Sequence, residues 1–218
     1  MATSVVATAT STAGTITVPS SGAAAGDIAF LFDSSRDSGS GSTIPTKVIP
    51  AGWAEPTGGA SASGTANGGN GFRTTISCKI LTSGDLGTVI TGQNSNVNSK
   101  QMLVLRTDDP VSGAEAGTLN YQVTTGDPAQ QTVTPPTTAY PTLVVGGFHV
   151  NAAGTFTVSP SGTALSASAA GAINYAVYDS GAVVTTYDHN DNSSNWNVLW
   201  SIAIKLTVAL SQIGRAHV

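Results

Sequence analysis

Apolar and polar positions alternate along much of this chain, and the longest alternation runs from Trp196 to Val208, W-N-V-L-W-S-I-A-I-K-L-T-V. Its even positions are all large and apolar (Trp196, Val198, Trp200, Ile202, Ile204, Leu206, Val208), whereas the odd set holds Asn197, Ser201, Lys205 and Thr207. Successive side chains of a β-strand leave opposite faces of the sheet, so this order predicts a strand with one apolar stripe against a core and a mostly polar stripe outward. A helix would scatter the stripe around its circumference. At roughly 3.3 Å per residue the strand runs on the order of 40 Å and requires long partners.

Shorter alternating or apolar runs predict those partners. Thr15–Val18 ends at Pro19 as a short strand, and Asp27–Asp33 follows with Ile28, Phe30 and Phe32 on one face and Ala29 and Leu31 on the other, both faces covered. Further strands are expected at 73–81, 87–91, 101–106, 119–123, 131–133, 142–150, 155–158, 173–178 and 183–187. Turn signals between them recur about every ten residues, and no window of helical length shows a 3.6-residue period. The predicted fold is all-β, an antiparallel β-sandwich of jelly-roll type. Ser34–Ser42 and Gln93–Ser99 read as polar loops, and Thr57–Gly71, nearly all Gly, Ser and Ala, reads as a long mobile loop.

The order strand, Ser-Gly turn, Val/Thr strand, Asn-rich loop, long apolar strand occurs twice. It runs from Cys78 to Thr107 and again from Ala176 to Ile204, which predicts two pseudo-repeated halves sharing one core. The expected domain is residues 15–211. Residues 1–14 form a Ser/Thr/Ala lead-in. Residues 212–218, whose Ile213–Val218 part back-translates to the start of a sequencing adapter, are expected to be read-through.

Composition narrows the function classes. Only 9% of the 218 residues are charged against a usual figure of about 25%, with 25 Gly and abundant Ser, Thr and Ala in their place. Net charge is -4 without a Lys/Arg cluster, so nucleic acid is not an expected partner. Cys78 stands alone and cannot form an internal disulfide. Met1–Pro19 has neither a positive residue nor an apolar block, and no membrane segment is expected.

Candidate chemistry is sparse. No G-x-S-x-G elbow or P-loop is present, Gly68–Gly71 lacks the Lys-Ser/Thr of a phosphate cradle, and Glu occurs only at Glu55 and Glu115. His149, at a strand end, reads as a packed neutral imidazole. Asp188, Asn190 and Asn192 have the D-x-N-x-N spacing of calcium loops. No Gly follows at the sixth position, however, and Leu199 stands at the twelfth, so a polar hairpin loop is the better reading and no metal is expected. Trp53, Tyr140 and Tyr187 lie at loop edges where they could stack on sugar rings, although Trp53 behind Pro-Ala-Gly also reads as a plug over the sandwich end. No catalytic residues, no cofactor and no enzymatic activity are expected.

Framework motifs add a resemblance. Gly26-Asp-Ile-Ala-Phe-Leu31, Pro50-Ala-Gly-Trp53, Cys78-Lys79-Ile80, Gly87-Thr-Val89 and Leu103-Val-Leu-Arg106, with Pro141-Thr-Leu-Val-Val and Trp196 leading into Ile202-Ala-Ile-Lys205, resemble tailed-phage and prophage structural proteins over about Thr15–Val208. Where that group usually has Tyr, Cys78 precedes the Lys. The resemblance implies a non-enzymatic virion protein, a tail or head-surface decoration component located in the virion. It would be homo-oligomeric and packed against other virion proteins. The alternative is a carbohydrate- or receptor-binding module of a fibre or surface adhesin, with a host surface glycan as partner.

Overall fold

The computed structural model describes residues 2–37, 43–66, 70–125, 131–133, 141–150, 158–159, 162–168, 171–179, 185–187 and 196–209. The described residues hold strands and no helix. The first half of the chain contributes β1 (Thr3–Ser11), β2 (Thr15–Thr17), β3 (Ile28–Asp37), β4 (Ser61–Ala66), β5 (Asn70–Ile80), β6 (Val89–Thr91) and β7 (Val97–Thr107). The second contributes β8 (Val111–Ala116), β9 (Asn120–Thr125), β10 (Gln131–Val133), β11 (Thr142–Val150), β12 (Val158–Ser159), β13 (Thr163–Ser168), β14 (Gly171–Tyr178), β15 (Thr185–Tyr187) and β16 (Trp196–Val208).

Each half builds one large antiparallel sheet. The first has the order β1-β7-β3-β5-β4 and the second β13-β14-β11-β16-β8, with β9 continuing beside the first part of β16. The two sheets pack face to face as a β-sandwich. Between them lie Ile28, Phe30 and Phe32 of β3, Phe72 and Ile76 of β5, and Leu103 and Leu105 of β7. They meet Leu143 and Val145 of β11, Ile173 and Tyr175 of β14, and Val198, Trp200, Ile202, Ile204 and Leu206 of β16. The even-numbered stripe of β16 is therefore the centre of the core. A second apolar cluster covers the outer face of the first sheet, where Ala29, Leu31, Met102 and Val104 meet Ile16, Val18, Trp53 and Leu81.

The halves repeat strand for strand. The middle strand β3 lies between β7 and β5 as β11 lies between β16 and β14, and the small pairing β2–β6 has its counterpart in β10–β15. Ile28 faces Leu105 and Ile80, and Leu143 faces Ile204 and Val177, so Ile80 corresponds to Val177. In that register Ser83-Gly84 falls on Ser180-Gly181, the same alignment as the sequence echo. One exchange breaks the repeat. Phe32 and Gln101 face each other in the first sheet, whereas the matching pair in the second is Gly147 and Trp200. A Cβ on Gly147 would lie 2.2 Å from Trp200 Cζ2, and the indole stacks on Phe32 with ring centroids 5.8 Å apart. The indole fills the space that Gly147, its neighbour in the same sheet, leaves open.

Several expectations need correction. Thr3–Ser11, read as a lead-in, is the edge strand β1, registered on β7 from Thr107 back to Lys100. Its Thr, Val and Ala lack an apolar stripe, and backbone pairing supplies the order that side-chain burial does not. The same holds for β4, inside the expected mobile loop, which pairs with β5 along its length. Gly64 there must be small, since a Cβ would come 2.8 Å from Val123 Cγ2. The expected polar loop after Asp33 is a continuation of β3, because the buried hydroxyls find partners: Ser34 Oγ lies 2.9 Å from Thr74 Oγ1, and Ser35 donates to Asn98 Oδ1 at 2.9 Å. β7 likewise begins at Val97, inside the other expected loop, while β8 and β13 had no apolar signature.

Candidate functional site

The aromatic candidates divide. Gly52, at φ +76°, turns the chain so that Trp53 N–H donates to Pro50 O at 3.0 Å, and the indole is driven into the outer cluster with 8% exposure. Trp53 is the plug. So little of its ring faces solvent that it offers no stacking platform for a sugar. Beside it runs a groove of ≈ 480 Å³ lined in part by Val48, Ile49, Pro50, Val89 and Ile90, where Val89 is 65% exposed. The backbone of Tyr187 belongs to β15, paired with Gln131 and Val158. Tyr140 and the Asp188–Asn192 loop lie outside the described residues. Among the described residues no group of His, Cys, Asp and Glu converges as a metal site.

Two polar clusters that the sequence did not reveal are buried. On the outer face of the first sheet, Asp33 of β3 and Lys100 of β7 stand directly opposite. Lys100 Nζ donates to Asp33 Oδ1 at 2.6 Å and to Gln93 O at 2.5 Å, while Gln93 N–H donates to Asp33 Oδ2 at 2.7 Å. The two side chains are 0% and 3% exposed. Burial raises the Asp33 carboxyl above its ordinary range, and Lys100 and Gln93 pull against it. The network ties the β6–β7 connection onto β3. In the second half the matching positions are Phe148 and Leu199, so the clamp is particular to the first half.

The second cluster lies between the sheets at the end where β3 finishes. Ser34, Thr74, Ser99, Gln101 and Arg36 stand at inward positions there, and His149 of β11 meets them from the other sheet, 1% exposed. Gln101 Nε2 donates to Ser99 Oγ at 2.8 Å, and the edge of His149 meets Phe72 with ring centroids 6.0 Å apart. Both ring nitrogens of His149 lack a hydrogen-bond partner. Desolvation, then the charges of Arg36 and Lys100, push its pKa down to about 3. A neutral imidazole without an acid or base partner is a packing group and does no general acid–base work at neutral pH. Cys78 is similar: burial pushes the thiol up to about 11, so little thiolate exists near neutral pH.

The flanks of the sandwich differ. On one, the segment following Trp53 bonds to both sheets. Ala54 exchanges hydrogen bonds with Cys78 of β5, and Thr57 N–H donates to Ala114 O of β8 at 2.9 Å while Ala116 N–H donates to Thr57 O at 2.7 Å. Backbone hydrogen bonds thus zip this flank. On the other, β1 and β13 end the two sheets side by side, and among the described residues each is paired through one edge alone. Neither T-S-V-V-A-T-A-T-S nor T-A-L-S-A-S contains a charged residue. One bulge interrupts each, at Val5/Ala7 and at Ser166/Ser168, and Thr3 N–H is met by Asp179 Oδ2 at 3.1 Å. Ser4, Thr8, Thr10, Thr163, Ala164 and Ser166 are exposed. Comparison with protein-family models, with curated proteins and with solved structures finds no match.

Proposed function

We propose that this chain is a non-enzymatic structural protein of a virion, a tail or head-surface component of a tailed phage, and that it packs against further copies and other virion proteins through its open flank. The observation that carries this reading is the pair of uncharged edge strands. Free strand edges are templates for pairing with another chain, and proteins that stay apart guard them with Lys, Pro or inward charges. Here the open flank has Ser, Thr, Ala and short aliphatics along two neighbouring edges, and among the described residues its guards are the two bulges and the Asp179 carboxylate at Thr3. A charge content of 9% also lowers the repulsion between close-packed copies. The resemblance of the framework motifs supports the virion assignment.

Mass spectrometry of purified particles tests that assignment. Particles of a phage or induced prophage whose genome carries this reading frame should contain the chain in many copies. Its absence from intact particles, with the protein found only in the lysate, rejects the reading.

A further inference from the structure

We infer that His149 makes the polar end of the sandwich an acid-sensitive latch, so that protonating its imidazole parts the two sheets at that end while the aliphatic end stays closed. The surroundings of the ring supply the argument. His149 is 1% exposed and neither nitrogen has a hydrogen-bond partner, so among the described residues the ring has only neutral hydroxyl and amide oxygens near it and no counter-charge to meet an imidazolium. Phe72 of β5 meets the ring and the charges of Arg36 and, through the sheet, Lys100 reach it, while Ser34 of β3, Asn70 and Thr74 of β5, and Ser99 and Gln101 of β7 hold inward positions at the same end. From its own sheet Gly171 of β14 and Val198 of β16 flank it. None of these is a carboxylate. Asp33 and Asp37 fall on the outward positions of β3, where Asp33 holds Lys100 and Asp37 accepts from Asn96.

A proton on His149 would add a desolvated positive charge near Arg36, with Lys100 behind the sheet in its pair with Asp33. Such a charge is relieved only by reaching water or a counter-charge. The cheapest path is local separation, because this end is packed through hydroxyls, amides and glycine. At the opposite end the aliphatic side chains of Ile28, Leu105, Leu143, Ile204 and Leu206 close the sandwich.

The sign follows from linkage. The folded His149 is held at about 3 against an ordinary 6.5, so between these values the open form binds the proton and the closed form does not. Closure is fully favoured above pH 6.5 and is lost as the pH falls, the closed-to-open ratio dropping up to about tenfold per pH unit.

Urea denaturation of the full chain and of His149→Phe at a series of pH values tests the latch. Wild type is expected to lose stability steeply below pH 6.5, and His149→Phe, which keeps the other two histidines, is expected to lose that component. Parallel pH profiles overturn the inference. Should the variant fail to fold, amide hydrogen exchange of wild type at pH 7.5 and 5, corrected for intrinsic rates, decides instead. Faster exchange confined to Ser34–Asp37, Asn70–Thr74 and Phe148–His149 supports the latch, and uniform acceleration that includes Ile28–Leu31 refutes it.

Discussion

Gly147 and Trp200 show how narrowly single positions are specified in this core. Any side chain at Gly147 would enter the indole, which is itself stacked on Phe32 and only 1% exposed. Gly147→Ala is therefore expected to destabilise the fold by about 1–3 kcal/mol in urea denaturation, the range for overpacking a filled core. An unchanged midpoint would mean that the ring shifts freely. Lys100 tests a different effect. Lys100→Ala strands the Asp33 carboxylate in a dry site and is expected to cost about 3–5 kcal/mol, whereas the double change Asp33→Leu with Lys100→Met recovers part of that loss, the buried backbone groups of Gln93 remaining unpaired. Equal losses in the single and double variants would argue against a pair held by mutual compensation. The burial of Trp200 is legible from the period-two stripe, because alternation reports which face a residue is on. The Asp33–Lys100 pair is not, since its partnership depends on a strand register that two separate segments fix only when they meet.

Among the elements, the order of a strand arises in two ways that sequence reveals unequally. β3, β11 and β16 declare themselves because burial of Ile28, Phe30 and Phe32, of Leu143 and Val145, and of the β16 stripe both drives and marks them. β1, β4 and β13 bury little, and Ser, Thr, Ala and Gly take strand form there because a neighbouring edge offers a ladder. Local composition carries no mark of that neighbour, which is why Thr57–Gly71 reads as a loop. The zipped flank gives a prediction at this scale. Gly58 holds φ +101°, and a Cβ would lie 2.9 Å from Ala116 O, the carbonyl of the strand it helps bind. Gly58→Ala should cost about 1–3 kcal/mol of backbone strain and hasten amide exchange in β8. Exchange unchanged in Val111–Ala116 would show that the flank is held by other contacts.

At the scale of the molecule, two like sheets close on each other, zipped by backbone on one flank and, among the described residues, ending in the edge strands β1 and β13 on the other. The duplication is readable in sequence because the Ser-Gly turns and the long final strands survive in both halves, and the registers align them identically. The flank asymmetry is not readable, since it depends on which elements become edges. That asymmetry is the basis of the proposed role, and sedimentation equilibrium of the full chain beside a Thr8→Lys, Ala164→Lys variant tests it most directly. Both positions are exposed on the edge strands, so the lysines should leave circular dichroism and thermal melting unchanged. Wild type is expected to sediment as oligomers that grow with concentration and the variant as a monomer. A wild type that stays monomeric throughout, or a variant that associates equally well, contradicts the account.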